Sequence, residues 1–479
     1  MLTPILGQAY VARSVNAADS RMINLFPEAV PEGGLTGGFL NRAPGLRLLA
    51  TIGTGPIRGL WTHQTAGNDA YVVSGSEFYK IKPDYSYVKL GNVTGTGPVS
   101  IADSGTQIFI ACNPDAFVYT ESTNTFTQVT DPNFAGAETV CYIDGYFAFN
   151  QPGTQIIWVT NLLDGLTIDP LAFGAAESSP DLVQAIIANN REVWVFGSGT
   201  TEVWYDAATT PFPLAPIQGA YNEIGCIAAF SIAKLDNSIF WLGADPRGYG
   251  IVYRNQGYTG KRVSTHAVEY AIQNYGDISD AIAYTYQQEG HAFYVLTFPS
   301  AGKTWVYDVA TAAWHERAGW LNGNFTRHRS QCQMDFNSQT VVGDYQNGNL
   351  YALDLDVYAD NGNTQKWLRS WRPIPENQNP MKRSAQHGLQ LLCESGAGLN
   401  VGQGSDPQAM LRWSDDGGHT WSNEHWTKMG RIGQYGFRAF WRRLGMTLKL
   451  RDRVYEVSGT DPIKLVITGA NLILTPTNA

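Results

Sequence analysis

The chain has 479 residues, with 33 Lys+Arg against 42 Asp+Glu, a formal charge of −9 and a pI near 5.4, which excludes a protein that binds nucleic acid through overall basicity. Charged residues make up only 16% and Gly fills 50 positions, where about 25% and about 7% are ordinary, so surface ion pairing is not what shapes this exterior. Aromatic residues reach 12%, too much apolar surface for a disordered polymer and enough for one or more large cores.

In chain order, residues 1–50 read as an extended docking segment. Its start, Met1-Leu2-Thr3-Pro4-Ile5-Leu6-Gly7, has neither a basic n-region nor an apolar h-region, so no secretion signal is expected. From residue 51 the chain is built of short runs of alternating Val, Ile, Phe, Tyr and Trp, broken by Gly, Asn, Asp and Pro, the pattern of β-strands. The runs come in pairs, each predicted as a hairpin: 70–73 with 78–81, 108–111 with 116–119, 146–149 with 156–159, 193–196 with 202–205, 239–242 with 251–253, 292–295 with 304–307, and 340–342 with 349–352. The second strands recur every 38 to 53 residues, bracketing the ~40 to 50 residues of a four-stranded propeller blade. Flanking runs at 56–61, 99–102 and 182–187 supply further strands.

The expected fold is therefore all-β: a β-propeller of about six to seven blades over 51–360, with Gly wherever strands crowd toward the axis. A run of β-sandwiches is the rival, but its turn spacing is shorter. After Asp356 the pattern changes, and 361–479 is expected to form a small β-sandwich-like domain. Residues 365–455 hold 14 Lys+Arg against 7 Asp+Glu, a net +7, so the rest of the chain carries −16. That asymmetry suggests that the two parts face different partners.

Five cysteines (Cys112, Cys141, Cys226, Cys332, Cys393) are odd in number and scattered, without C-x-x-C, so neither a disulfide framework nor a zinc ribbon is expected. The longest uncharged apolar stretch, about 226–233, is far short of the ~20 residues that cross a bilayer, so no membrane segment is expected. Eight histidines offer no H-E-x-x-H, and no G-x-S-x-G elbow occurs. No catalytic, cofactor-binding or metal-binding residue is assigned, and no cofactor. Gly302-Lys303-Thr304 imitates the end of a phosphate-binding loop, but Thr297 stands where the first Gly is needed, so a hairpin turn is expected.

Two segments stand out. Ser414-Asp415-Asp416-Gly417-Gly418-His419-Thr420-Trp421 matches the Asp-box S-x-D-x-G-x-T-W, in which Ser414 and Asp416 bond turn backbone groups, Gly418 takes positive φ and Trp421 packs below. A sialidase propeller carries several boxes and an arginine triad, whereas here a single box lies outside the repeats. Phe437-Arg438-Ala439-Phe440-Trp441-Arg442-Arg443 interleaves cations and aromatics. As a strand it places Arg438 and Arg442 on one face and Phe437, Trp441 and Arg443 on the other. A protein interface through Arg438, Arg442 and Arg443 is the preferred reading, with a solvated face and DNA contact as alternatives.

The order of several fragments resembles the packaged-DNA stabilisation proteins of short-tailed bacteriophages. These are Arg21-Met22-Ile23-Asn24-Leu25-Phe26-Pro27-Glu28, Pro44-Gly45-Leu46, Gly55-Pro56-Ile57-Arg58-Gly59-Leu60 and Val73-Ser74-Gly75, then 97–102, 177–181, 195–202 and Trp441-Arg442-Arg443-Leu444-Gly445. The resemblance implies a virion tail component made in the host bacterial cytoplasm, with no enzymatic activity. It implies a tail hub or nozzle, a homo-hexamer on the tail axis below the adaptor ring under the portal. Distal partners would be a needle or plug, tailspikes or fibres, with double-stranded DNA passing the channel without sequence recognition. On this reading some carboxylates line the lumen, since like charge keeps DNA from sticking. The alternative is a carbohydrate-active or receptor-binding propeller, glycosidase- or sialidase-like, which requires a cleft with two carboxylates about 5 or 6.5 to 9.5 Å apart.

Overall fold

The computed structural model describes residues 1–34, 36–63, 69–245, 248–375, 382–448 and 451–477. Among them the only helical elements are the 3-10 turn Ala229–Ser231 and the helix His266–Gln273, which Thr265 caps by accepting from the Val268 N–H. Everything else that is regular is strand.

Seven small antiparallel sheets succeed one another along the chain. Blade 1 runs Ile57–Thr62, Ala70–Ser74, Glu77–Ile81, Tyr87–Asn92, and blade 2 runs Ser100–Asp103, Gln107–Ala111, Ala116–Thr120, Thr125–Gln128. Blades 3 and 4 begin at Val140–Ile143 and Val183–Asn189 and end at Phe173–Ala175 and Leu214–Asn222. Blade 5 is built on Ser238–Asp245 and Gly248–Gln256, blade 6 on His291–Phe298 and Lys303–Asp308, and blade 7 on Gln339–Asp344 and Asn349–Asp354. The seven predicted hairpins are the second and third strands of the seven blades.

Period-2 alternation persists although these middle strands are buried on both faces, because each face serves a different core. Ile108 and Ile110 pack toward blade 1, with Tyr71 and Phe78. Phe109 and Ala111 pack toward blade 3, with Phe147 and Phe149. The cores thus lie between blades, and the ring closes where Ile52, Ile57 and Leu60 meet Met334, Phe336 and Leu350 of blade 7.

Glycines mark blade contacts along the whole radius, not only at the axis. A Cβ on Gly59, in the innermost strand of blade 1, would lie 2.4 Å from Val99 Cγ2, and one on Gly91, in the outermost strand, 2.1 Å from the Phe126 ring. The outer strands also pack face to face, so the crowding extends to the rim.

The first fifty residues run through both bodies. Gly45–Thr51 supplies the fourth strand of blade 7, with Leu46 opposite Leu353 and Ala50 opposite Leu350. Leu25–Ala29 and Gly38–Arg42 extend a C-terminal sheet that includes Val466–Pro476, Ser384–Cys393 and the edge strand Ala439–Arg442. The facing sheet runs Met22–Ile23, Trp367–Trp371, Val454–Gly459, Gln408–Ser414, with His425–Lys428 at its edge. It is continuous with blade 6 through the parallel pairing of Ile23 with Glu316. The C-terminal part is thus a sandwich whose two sheets borrow strands from the opposite end of the chain.

Candidate functional site

The Asp-box closes on itself. Ser414 Oγ donates to Asp416 Oδ1 at 2.6 Å and accepts from the Gly418 N–H at 2.8 Å. Asp416 accepts from the N–H groups of His419 and Thr420 at 3.0 and 2.9 Å and from the Thr420 hydroxyl at 2.6 Å. These donors, the Ser414 and Thr420 hydroxyls foremost, hold its carboxyl well below the usual range. Gly417 and Gly418 take φ +76° and +106°. Trp421 donates to Gly418 O at 3.1 Å and lies beside the Arg412 guanidinium, 4.8 Å from the ring centroid. The turn presses on the N-terminal segment, since a Cβ on Gly417 would sit 2.0 Å from Asn16 Oδ1. Next to it, buried Arg453 holds Asp415 through two bonds of 2.7 and 2.8 Å. All of these groups are engaged with the protein's own backbone and side chains.

The basic run forms the outward edge of the sandwich. Ala439 and Trp441 are buried, while Arg438 and Arg442 flank the half-buried Phe440 ring at 5.8 and 5.2 Å on the outer face. Arg443 departs from the expectation that it shares a face with Trp441: its φ of +60° ends the strand and leaves it exposed. The two edge strands meet here, with Thr427 Oγ donating to Phe440 O at 3.2 Å and Trp441 Nε1 to His425 O at 2.8 Å. Trp426, Ile432, Tyr435 and Phe437 stand exposed around them. The sequence marked the cations and Phe437 but not Trp426 or Tyr435, because nothing local distinguishes an exposed Trp on an edge strand from a core one.

At the propeller axis the inner strands of all seven blades enclose a cavity of about 700 Å³, lined mostly by apolar side chains such as Leu60, Val99, Ile101, Ile186 and Phe230. Its charged lining residues are Arg58, Asp103 and Lys234. Asp103 is spent on His63, on the Gly105 N–H at 2.6 Å and on Trp61 at 3.4 Å. The cavity therefore lacks the carboxylate pair that glycoside hydrolysis needs, and its volume suits a small molecule, not a duplex. This axial cavity is lined by the single carboxylate Asp103 and is too small to pass a duplex.

Among the described residues no group of three or more His, Cys, Asp or Glu could hold a metal ion, and no helix is long and apolar enough to cross a membrane. The five cysteines are free thiols, each pushed up to about 12 by burial. Gly302, at φ +63°, sits in the turn before the strand Lys303–Asp308.

Two family models match the chain. One, described as "Bacteriophage P22 Gp10, beta-propeller", covers residues 1–358, and the other, "Bacteriophage P22 Gp10, beta-sandwich", covers residues 373–474. No curated protein sequence matches. Among solved structures, the virginiamycin B lyase from Staphylococcus aureus is similar at 10% identity and TM-score 0.44, over 64% of this chain and 98% of that one. The extracellular domain of the putative one component system BT4673 from B. thetaiotaomicron is similar at 10% identity and TM-score 0.42, over 88% of this chain and 58% of that one. Likenesses this distant carry no argument about chemistry.

Proposed function

The chain belongs to the bacteriophage P22 Gp10 family of phage structural tail proteins involved in stabilising packaged DNA, and from that premise we propose that it is the tail hub, or nozzle, of a short-tailed phage. In this reading six copies form a ring on the tail axis below the adaptor ring under the portal. The ring lengthens the DNA channel, retains the genome with a needle or plug, and anchors tailspikes or fibres. Double-stranded DNA passes between the copies, not through a propeller.

The observation that carries the reading is that the two family matches account, in order, for both bodies of the chain. The division of labour we propose follows the architecture: residues 1–50 strap the propeller of 51–360 to the C-terminal β domain of 361–479. The Asp-box residues Ser414, Asp416, Gly418 and Trp421 stiffen that junction, and Arg438, Arg442 and Arg443 present the outer interface. A surface poor in charge and rich in exposed aromatics suits contacts between virion parts.

The test is retention of DNA. Heads filled with DNA but lacking this chain are incubated with the purified protein and then with a nuclease. The hub reading expects the added protein to convert leaking heads into heads that keep their DNA. Leakage that continues unchanged although the protein has bound the heads contradicts it.

A further inference from the structure

Acidity is concentrated in one sector of the ring. No Lys or Arg occurs between residues 90 and 190, and residues 100–222, which are blades 2 to 4, hold 13 Asp+Glu against the single cation Arg191. That cation is itself paired with Asp144 at 2.8 Å. This sector alone carries −12, more than the −9 of the whole chain.

Most cations of the sandwich are spent internally. Arg453 is held by Asp415, Arg372 by Asp452, Arg412 by Glu456, and Lys428 and Arg431 by Asp406. Among the described residues no ion pair takes up Arg438, Arg442 or Arg443, all exposed. Part of the excess positive charge of the sandwich thus lies on the edge that also exposes Trp426, Tyr435 and Phe437.

Topology sets the two sectors apart. The sandwich joins the ring at blade 6, through Ile23 and Glu316, and at blade 7, where the strand Gly45–Thr51 leads out of the N-terminal segment. In a closed ring of seven, blade 3 lies three steps from blade 6 in one direction and three from blade 7 in the other. The acidic sector is thus across the ring from the basic edge, and one copy cannot satisfy its own charges.

The acidic rim also has the makeup of a contact surface. Leu171 and Phe173 stand exposed on blade 3, and Tyr221 on blade 4. Tyr221 pairs with Glu202, which accepts from the Ser178 N–H at 3.0 Å. Asp181 is consumed by the N–H groups of Gly199 and Thr200 at 2.7 and 2.9 Å. On either side of this cluster Glu177 and Glu223 are exposed and form no ion pair among the described residues. Aromatic anchors beside complementary charge are what gives an interface both affinity and register.

We propose that the basic aromatic edge of the sandwich docks onto the acidic outer rim of blades 3 and 4 of a second copy of this chain. The contact joins two different patches, so each copy uses one patch toward each neighbour, and repetition closes a ring when the rotation allows. The inference rests on the hub reading and adds to it which faces hold neighbouring copies together.

The experiment assembles the full chain on the portal–adaptor complex and counts rings by negative-stain imaging. It compares wild type with Arg438→Glu/Arg442→Glu, with Glu177→Arg/Glu223→Arg, and with all four changes in one chain. All four sites are exposed, and the melting temperature of each variant is checked against wild type. If a variant melts early, Arg438→Gln/Arg442→Gln or Glu177→Gln/Glu223→Gln replaces it. Either charge-reversed pair is expected to lower ring occupancy at least tenfold, and the fourfold variant to recover most of it. Rings at wild-type occupancy from either pair overturn the proposal, as does a fourfold variant no better than the pairs. A sandwich-side pair that forms normal rings but loses binding to a linear duplex assigns that edge to DNA and also overturns it. Absence of rings from wild type counts against the hub reading instead. Sedimentation equilibrium of the free chains then reads the contact, and self-association unchanged in both pairs overturns it.

Discussion

Arg42 lies at the seam between propeller and sandwich, buried, and donates to the carbonyls of Tyr358, Gln365, Asp461 and Ile463 at 2.6 to 3.0 Å. Arg369 treats the N-terminal segment in the same way, donating to Ile5 O at 2.7 Å and Arg21 O at 3.2 Å. Counting charges along the sequence registers these residues as surface cations, because a count holds no information about which guanidinium will be buried. Arg42→Met strands four carbonyls at once and is expected to cost about 3 kcal/mol or more, measured by urea unfolding. A loss below about 1 kcal/mol contradicts the role given to it. Beside it, burial pushes the carboxyl of Asp360 from 3.8 up to about 7. The unfolded chain ionises this group from near pH 4 and the folded one only near pH 7, so it lowers stability progressively as pH rises across that window and no further above it. Asp360→Asn should therefore gain on wild type between pH 4 and 7 by up to about 1.4 kcal/mol per unit. A difference that does not vary with pH contradicts this assignment.

At the scale of elements, the seven hairpins were legible because alternation and turn residues are local signals. Val193 and Val195 face one core while Trp194 and Phe196 face the next, so the period of two survives complete burial. The strand Gly45–Thr51 was not legible as part of blade 7, since its partner Asn349–Asp354 lies some three hundred residues onward and no local pattern encodes the pairing. The same holds for Met22–Ile23, which joins blade 6 to the sandwich. The Asp-box was legible as a turn, but its contact with Asn16 depends on the N-terminal segment folding back. Two substitutions test this level by thermal unfolding. Leu46→Ala, at the fully buried position opposite Leu353, should cost about 2 to 5 kcal/mol. Gly59→Ala forces a methyl to within 2.4 Å of Val99 between blades 1 and 2 and should cost about 1 to 3 kcal/mol. Wild-type melting in either would contradict the packing described.

For the whole molecule, the mild net charge conceals a dipole. The acidic sector of blades 2 to 4 stands across the ring from a sandwich edge where, among the described residues, Arg438, Arg442 and Arg443 form no ion pair. Attraction between exposed charges weakens with salt, so ring formation should fall as salt rises from 0.05 to 0.5 M, and salt-independent assembly would show that charge does not hold the copies together. The proposed role as the hub of a phage tail is open to imaging of the protein in place. Electron cryomicroscopy of tails carrying the protein should show six copies around the axis directly below the adaptor, with the DNA channel running between them. Density for the chain away from the axis, or as single copies at the tail periphery, would contradict the account.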